Sequence, residues 1–160
     1  MTTGMPTKHY RRENLQVFDD PIATMRMRPE MYAGSRPWGP TFTAQLVHDV
    51  LLLGAQPLRI DNIGDWWLVA ADRDWLRSAE GVVSTEPFFR IWPNPPGGGV
   101  NGFRFEVALT AFADAVMTAG PDGMIWVTGD PERHPLPSSA WLDPPNCGRG
   151  RAVAFRVIEV

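Results

Sequence analysis

The side chains best suited to chemistry are a carboxylate, Asp49, and a glycine-rich run, Gly98-Gly99-Val100-Asn101-Gly102, followed closely by Arg104. Asp49 sits one residue after His48 in a helical pattern, so the two are expected on different sides, with His48 a polar surface histidine. The glycine run precedes a second helical pattern. It reads either as a hinge or as a loop against which an anion is held, with Arg104 either its counter-charge or a plain surface arginine. His9, His48 and His134 are too dispersed for metal-ligand spacing. Cys147 lies in a loop between Pro145 and Gly148 with no nearby histidine to make it a nucleophile, and Ser138-Ser139 lacks a glycine elbow. No independent hydrolase emerges from these residues.

The elements that must position these groups can be read from capping and periodicity. Asp20-Pro21 is an N-cap followed by proline at the first helical position, and the helix it opens, through Ile22, Met25 and Arg26, must stop before Pro29. From Thr41 the residues Phe42, Leu46, Val47, Val50, Leu51 and Leu53 recur at helical spacing until Gly54, where a glycine C-cap is expected. Residues 58–63 and 65–71 are short, apolar and separated by Gly64, which predicts two antiparallel strands. Thr85 to Trp92 fits a short strand or a short helix equally well. Pro93 to Gly99 must be a loop. Phe105, Leu109, Phe112 and Val116 share one face at i, i+4, i+7 and i+11, which predicts a long amphipathic helix over 103–118. Residues 124–128 and 152–160 read as strands, joined by a proline-rich connection. Two long helices and runs of strands predict an α/β (α+β) fold, a two-layer sandwich.

Composition bounds the rest. The 160 residues, 44% hydrophobic, suffice for one domain with a real core, expected over 20–160 behind a flexible N-terminal arm, 1–19. A net charge of −3 provides no general basic field for a phosphate backbone, so nucleic acid is not the default partner. The single cysteine can build neither a disulfide framework nor a thiolate cage, which suits a cytoplasmic protein. No run approaches the roughly 18 apolar residues of a membrane span, and the first fourteen residues contain no apolar signal core. Seven tryptophans and sixteen prolines suggest long ordered loops, with Trp38, Trp75, Trp92 and Trp141 expected to cap the edges of the core.

Arg28-Pro29-Glu30-Met31-Tyr32-Ala33-Gly34 resembles the Arg-Pro-x-Met-Tyr-x-Gly signature that opens the ATPase domain of gyrase B and type IIA topoisomerases. These belong to the GHKL family (gyrase, heat-shock chaperone, histidine kinase, mismatch repair). The resemblance spans residues 20–160 and implies a Bergerat-like mixed sheet covered on one face by helices. No transducer segment follows, so an energy-transducing topoisomerase is not expected. In the family the first long helix carries a glutamate that activates water and, four residues later, an asparagine that holds Mg²⁺. Those positions fall here at Asp49 and Leu53. Asp49 is either a retained general base or a solvated carboxylate on the exposed helix side, and Leu53 has no oxygen for a hard cation. The family's adenine-reading aspartate falls at Ala71 or, shifted by one, at Asp72, and the glycines that should follow are missing. Asp72 and Asp74 are instead expected to cap or solvate a loop. The run Gly98, Gly99, Gly102 is similar to the family's phosphate-cradling glycines, with Arg104 replacing the last.

The resemblance implies a catalytically degenerate GHKL-like domain that binds a protein partner as a regulator, antitoxin or immunity protein, with neither metal nor cofactor. An alternative is an ATP or ADP sensor without efficient hydrolysis, using Asp49, Asp72, Gly98, Gly99, Gly102 and Arg104. A third reading makes the domain an imitation of gyrase B that competes for its partner or inhibitors.

Overall fold

The computed structural model describes residues 20–99, 102–143 and 150–159. The expected arm over 1–19, His9 and Cys147 lie outside the described residues.

Helix α1 (Pro21–Arg26) begins as its sequence requires: Asp20 Oδ1 accepts the backbone N–H groups of Ile22 and Ala23 at 3.0 and 3.1 Å. A single turn, α2 (Pro29–Tyr32), follows and contains the signature residues Met31 and Tyr32. Helix α3 (Trp38–Leu52) starts three residues earlier than the apolar repeat suggests. Pro40 is tolerated there because a helix's first turn has no intrahelical partners for its N–H groups. Gly39 is needed because a Cβ at that position would overlap the Trp67 indole. The C-terminus is a Schellman motif, with Ala55 N–H on the Val50 carbonyl, Gly54 N–H on that of Leu51, and Gly54 at φ +73°.

Five strands form one sheet: β1 (Leu58–Ile63), β2 (Trp66–Ala71), β3 (Ala115–Gly120), β4 (Gly123–Thr128) and β5 (Arg151–Arg156), in the order β1-β2-β5-β3-β4. Every neighbouring pair is antiparallel, so the mixed sheet expected from the family resemblance is replaced by a purely antiparallel one. With hairpin connections β1-β2 and β3-β4, and β5 inserted between them, no strand needs a parallel crossover. The fold is α+β. Residues 86–88 form a 3-10 turn, which settles the ambiguous 85–92 segment.

The predicted long helix over 103–118 is overturned. Helix α4 runs only from Glu106 to Phe112; Ala113 is extended, and Ala115–Gly120 is the strand β3, beside β5 near the middle of the sheet. Phe105, Leu109 and Val116 nonetheless enter one core, with Phe112 packed against it. A helix followed by a strand can present apolar side chains to the same side, so the spacing did not distinguish this arrangement from one continuous helix.

The sheet is covered on both faces. On the helical face, Phe42, Leu46 and Val50 of α3 pack with Val69, Val116, Val153 and Phe155. Phe42 is fully buried, its ring 5.2 Å from that of Phe105 and 6.3 Å from that of Phe155. The opposite face, with Leu68, Met117 and Ala154, is closed by Trp141 and Leu142 from the proline-rich connection. Arg59 of β1 donates to the Trp141 carbonyl and the Trp141 indole N–H donates to Asp61 at 2.7 Å, which latches that segment down. Trp75 and Trp141 are thus core residues, while Trp38 packs at the core edge as expected and Trp92 remains partly exposed. Arg26 ties α1 to the end of α4 by donating to the carbonyls of Ala111 and Thr110.

Candidate functional site

A cavity of about 320 Å³ opens between α2, α3, the glycine-rich loop and the residues leading into α4. The signature segment supplies one wall, Met31 to Gly34; α3 supplies Thr41, Gln45, His48 and Asp49; Asn94, Gly98, Gly102, Phe103 and Phe105 close it. Residues distant in sequence are therefore assembled in one place, as a ligand site requires.

Asp49 is not on the exposed side of α3. Its side chain is only 5% exposed, and Oδ2 accepts the Phe105 backbone N–H at 2.8 Å. The correction follows from α4: the chain entering that helix packs against α3 and presents an N–H there that Asp49 satisfies. Burial pushes the Asp49 carboxyl above the ordinary aspartate range; the Phe105 N–H opposes this, the charge of Glu106 adds to it, and His48 opposes it further. His48 is exposed, but its Nδ1 lies 3.4 Å from Asp49 Oδ1, so the neighbours do not point apart as expected. Four residues on from Asp49, Leu53 caps the end of α3 and packs against the core.

The glycines line this cavity for a local reason. Asn94 Nδ2 donates to the Gly98 carbonyl at 2.6 Å and Asn94 N–H to that of Gly102 at 3.3 Å. A Cβ at Gly102 would overlap the Asn94 amide, and one at Gly98 would come within 2.9 Å of Asn94 Cβ. Gly99, at φ +98°, turns the chain but does not line the cavity. Arg104 points elsewhere: it is buried and paired with the wholly buried Glu106, lining a separate groove. Its partner neutralises it before any anion arrives.

Asp72 is half-buried at the end of β2 and does not line the cavity. Asp74 caps the next turn through the Leu76 N–H at 3.0 Å, but it is not solvated. Its carboxylate, 1% exposed, receives Arg151 in bidentate fashion, Nε to Oδ1 at 2.9 Å and Nη2 to Oδ2 at 2.8 Å. Arg151 also donates to Asp122 and to Thr118 Oγ1. Burial acts to depress this guanidinium, yet Asp74 and Asp122 hold its pKa above the ordinary arginine value.

Sequence reasoning missed Asn94, Gln45, Glu106 and Arg151. The one signal for Arg151 was an arginine opening an otherwise apolar strand, Arg151-Ala152-Val153-Ala154-Phe155. Among the described residues no three His, Cys, Asp or Glu side chains converge as a metal site, and no helix is long and apolar enough to cross a membrane. No protein-family model and no curated protein matches the chain.

Proposed function

We propose that this chain is a catalytically degenerate GHKL-like domain, similar to the nucleotide-binding half of gyrase B, that acts as a non-enzymatic protein-binding or regulatory module. One observation carries the reading. Where Mg²⁺-dependent hydrolysis needs a side-chain oxygen four residues after the carboxylate, the chain has the aliphatic Leu53, which caps the end of α3 and packs against the core. Binding to a protein is supported by exposed apolar side chains in the stretch of chain that joins β2 to the glycine loop: Val82, 62% exposed, with Phe89 and Ile91. Val82 and Trp92 border a groove of about 470 Å³. Exposed apolar surface of this kind is characteristic of interaction sites. A cytoplasmic location accompanies this proposal, in keeping with the single cysteine.

Purified protein incubated with magnesium and ATP is expected to show no turnover above background. Turnover abolished by Asp49→Ala would overturn the reading. Copurification with a partner that is lost on Val82→Asp would support it.

A second reading, a nucleotide sensor without turnover, draws support from Gly98 and Gly102 lining the same cavity as Asp49. Calorimetric titration with ATP and ADP separates the two. Binding heat that vanishes in Gly99→Val, where φ +98° strains any branched side chain, favours the sensor. Silence across millimolar nucleotide favours the protein-binding module.

A further inference from the structure

The cavity at Asp49 has a wall chemistry that suits a cation better than a polyphosphate. Its acid is Asp49, its one basic-type ring is the exposed His48, and no described lining residue is a lysine or arginine. A triphosphate placed there would meet the Asp49 charge at close range, with Glu106 behind it and Arg104 already paired. A carboxylate has about four acceptor positions, and Asp49 uses one well, on the Phe105 N–H at 2.8 Å, and one poorly, with His48 at 3.4 Å. Acceptor capacity therefore remains on a nearly buried carboxylate that lines an open space.

The remaining wall completes this chemistry. Tyr32, Phe103 and Phe105 line the cavity, and Tyr32 meets Phe103 edge to face with centroids 6.0 Å apart. Aromatic surface beside a carboxylate attracts an organic cation by its ring quadrupole and also takes up the cation's methylene stem. Gln45 and Asn94 add side-chain amide oxygens able to accept N–H groups. At about 320 Å³ the space is at the small end of ligand sites.

We propose that this cavity binds a compact organic cation, an alkylguanidinium or alkylammonium, whose charged end pairs with Asp49 while its stem lies against Tyr32 and Phe103. The inference rests on the reading of the domain as non-catalytic and deepens it by naming what the inherited cavity recognises. The cation is either a free small amine or the arginine or lysine side chain of a partner protein, and the two sources share this chemistry. An incoming positive charge supplies the counter-ion that burial denies Asp49.

The test is an NMR titration of the full, ¹⁵N-labelled chain with N-acetyl-arginine amide, agmatine, and the neutral isostere N-acetyl-citrulline amide, following the Phe105 amide that reports on Asp49. Both cations are expected to shift it, with the citrulline compound weaker by about tenfold or more, the equivalent of roughly 1.4 kcal/mol. Asp49→Asn is expected to weaken the cations by a similar factor. Gln45→Arg tests the same point at an exposed position four residues before Asp49, where the new guanidinium reaches the carboxylate and competes, so the outcome does not depend on Asp49→Asn folding. Tighter binding of agmatine assigns a free amine, and tighter binding of the arginine amide assigns a partner's side chain; either supports the proposal. Equal binding of arginine and citrulline compounds, no shift up to about 10 mM, or cation binding indifferent to both substitutions overturns it. Magnesium-dependent ATP turnover is measured on the same sample: silence of the cations without turnover removes only this inference, whereas turnover removes the reading beneath it.

Discussion

Two aspartates of this protein are buried to nearly the same degree, yet their surroundings differ. Asp74 has a bidentate arginine, a backbone N–H, and a guanidinium shared with Asp122 and Thr118. Asp49 has one backbone N–H and a distant histidine, and it borders open space. The first is a closed network in which donors and acceptors answer one another, so it contributes geometry. The second is a carboxyl with capacity left over, its pKa raised first by burial and then by the charge of Glu106. Burial alone does not separate a structural acid from an available one. The inventory of partners does.

The contrast can be broken most severely at Arg151. Arg151→Met leaves Asp74 buried without its cation and is expected to lower unfolding stability by about 3–5 kcal/mol, read by urea denaturation. A loss below about 1 kcal/mol would mean that Asp74 is better solvated than its burial implies. Gly120→Ala tests the same network by crowding, since the added Cβ would overlap the Arg151 guanidinium; a cost of about 1–3 kcal/mol is expected. At the cavity, Asn94→Ala removes the latch on the Gly98 carbonyl and should cost about 1 kcal/mol, with faster hydrogen exchange in the glycine loop.

The smallest effect is expected at Asp49 itself. Asp49→Asn keeps an oxygen for the Phe105 N–H and should lie within about 1 kcal/mol of the wild type at pH 7. Its informative readout is pH. Because the folded carboxyl titrates above its unfolded value, the folded state holds more protons between the two. Wild-type stability relative to Asp49→Asn should therefore fall as pH rises from the ordinary aspartate range through the raised pKa, then stay level. A difference rising with pH across that interval would show that the ionised Asp49 is stabilised on folding.

Much of the scaffold was legible because its signals are local. Asp20-Pro21 states a helix start, Gly54 a helix end and Gly64 a hairpin turn, each through the backbone preferences of one or two residues. The signature around Met31 and Tyr32, Asp49 and two of the loop glycines were also recognisable as a set, and they do meet around one cavity. The helix placed over 103–118 failed because a 3.6-residue repeat and a helix-to-strand transition can present the same apolar side chains to one core. The expected exposure of Arg104 and Asp49 failed for another reason: whether a charge is solvated or paired depends on neighbours that no spacing rule supplies.

Residue order alone determined where α1 begins, where α3 ends, where β1 turns into β2, and which side chains are apolar enough to need a core, since these depend on each residue's own φ/ψ preferences and hydrophobicity. Only the tertiary structure decided which charges are neutralised. Arg151 reaches Asp74 across 77 positions and Asp49 meets Phe105 across 56, pairings set by the insertion of β5 between two hairpins and by the packing of α4 on α3. Electrostatic pairing acts through space in a low-dielectric interior, so its partners are fixed only when the layers close.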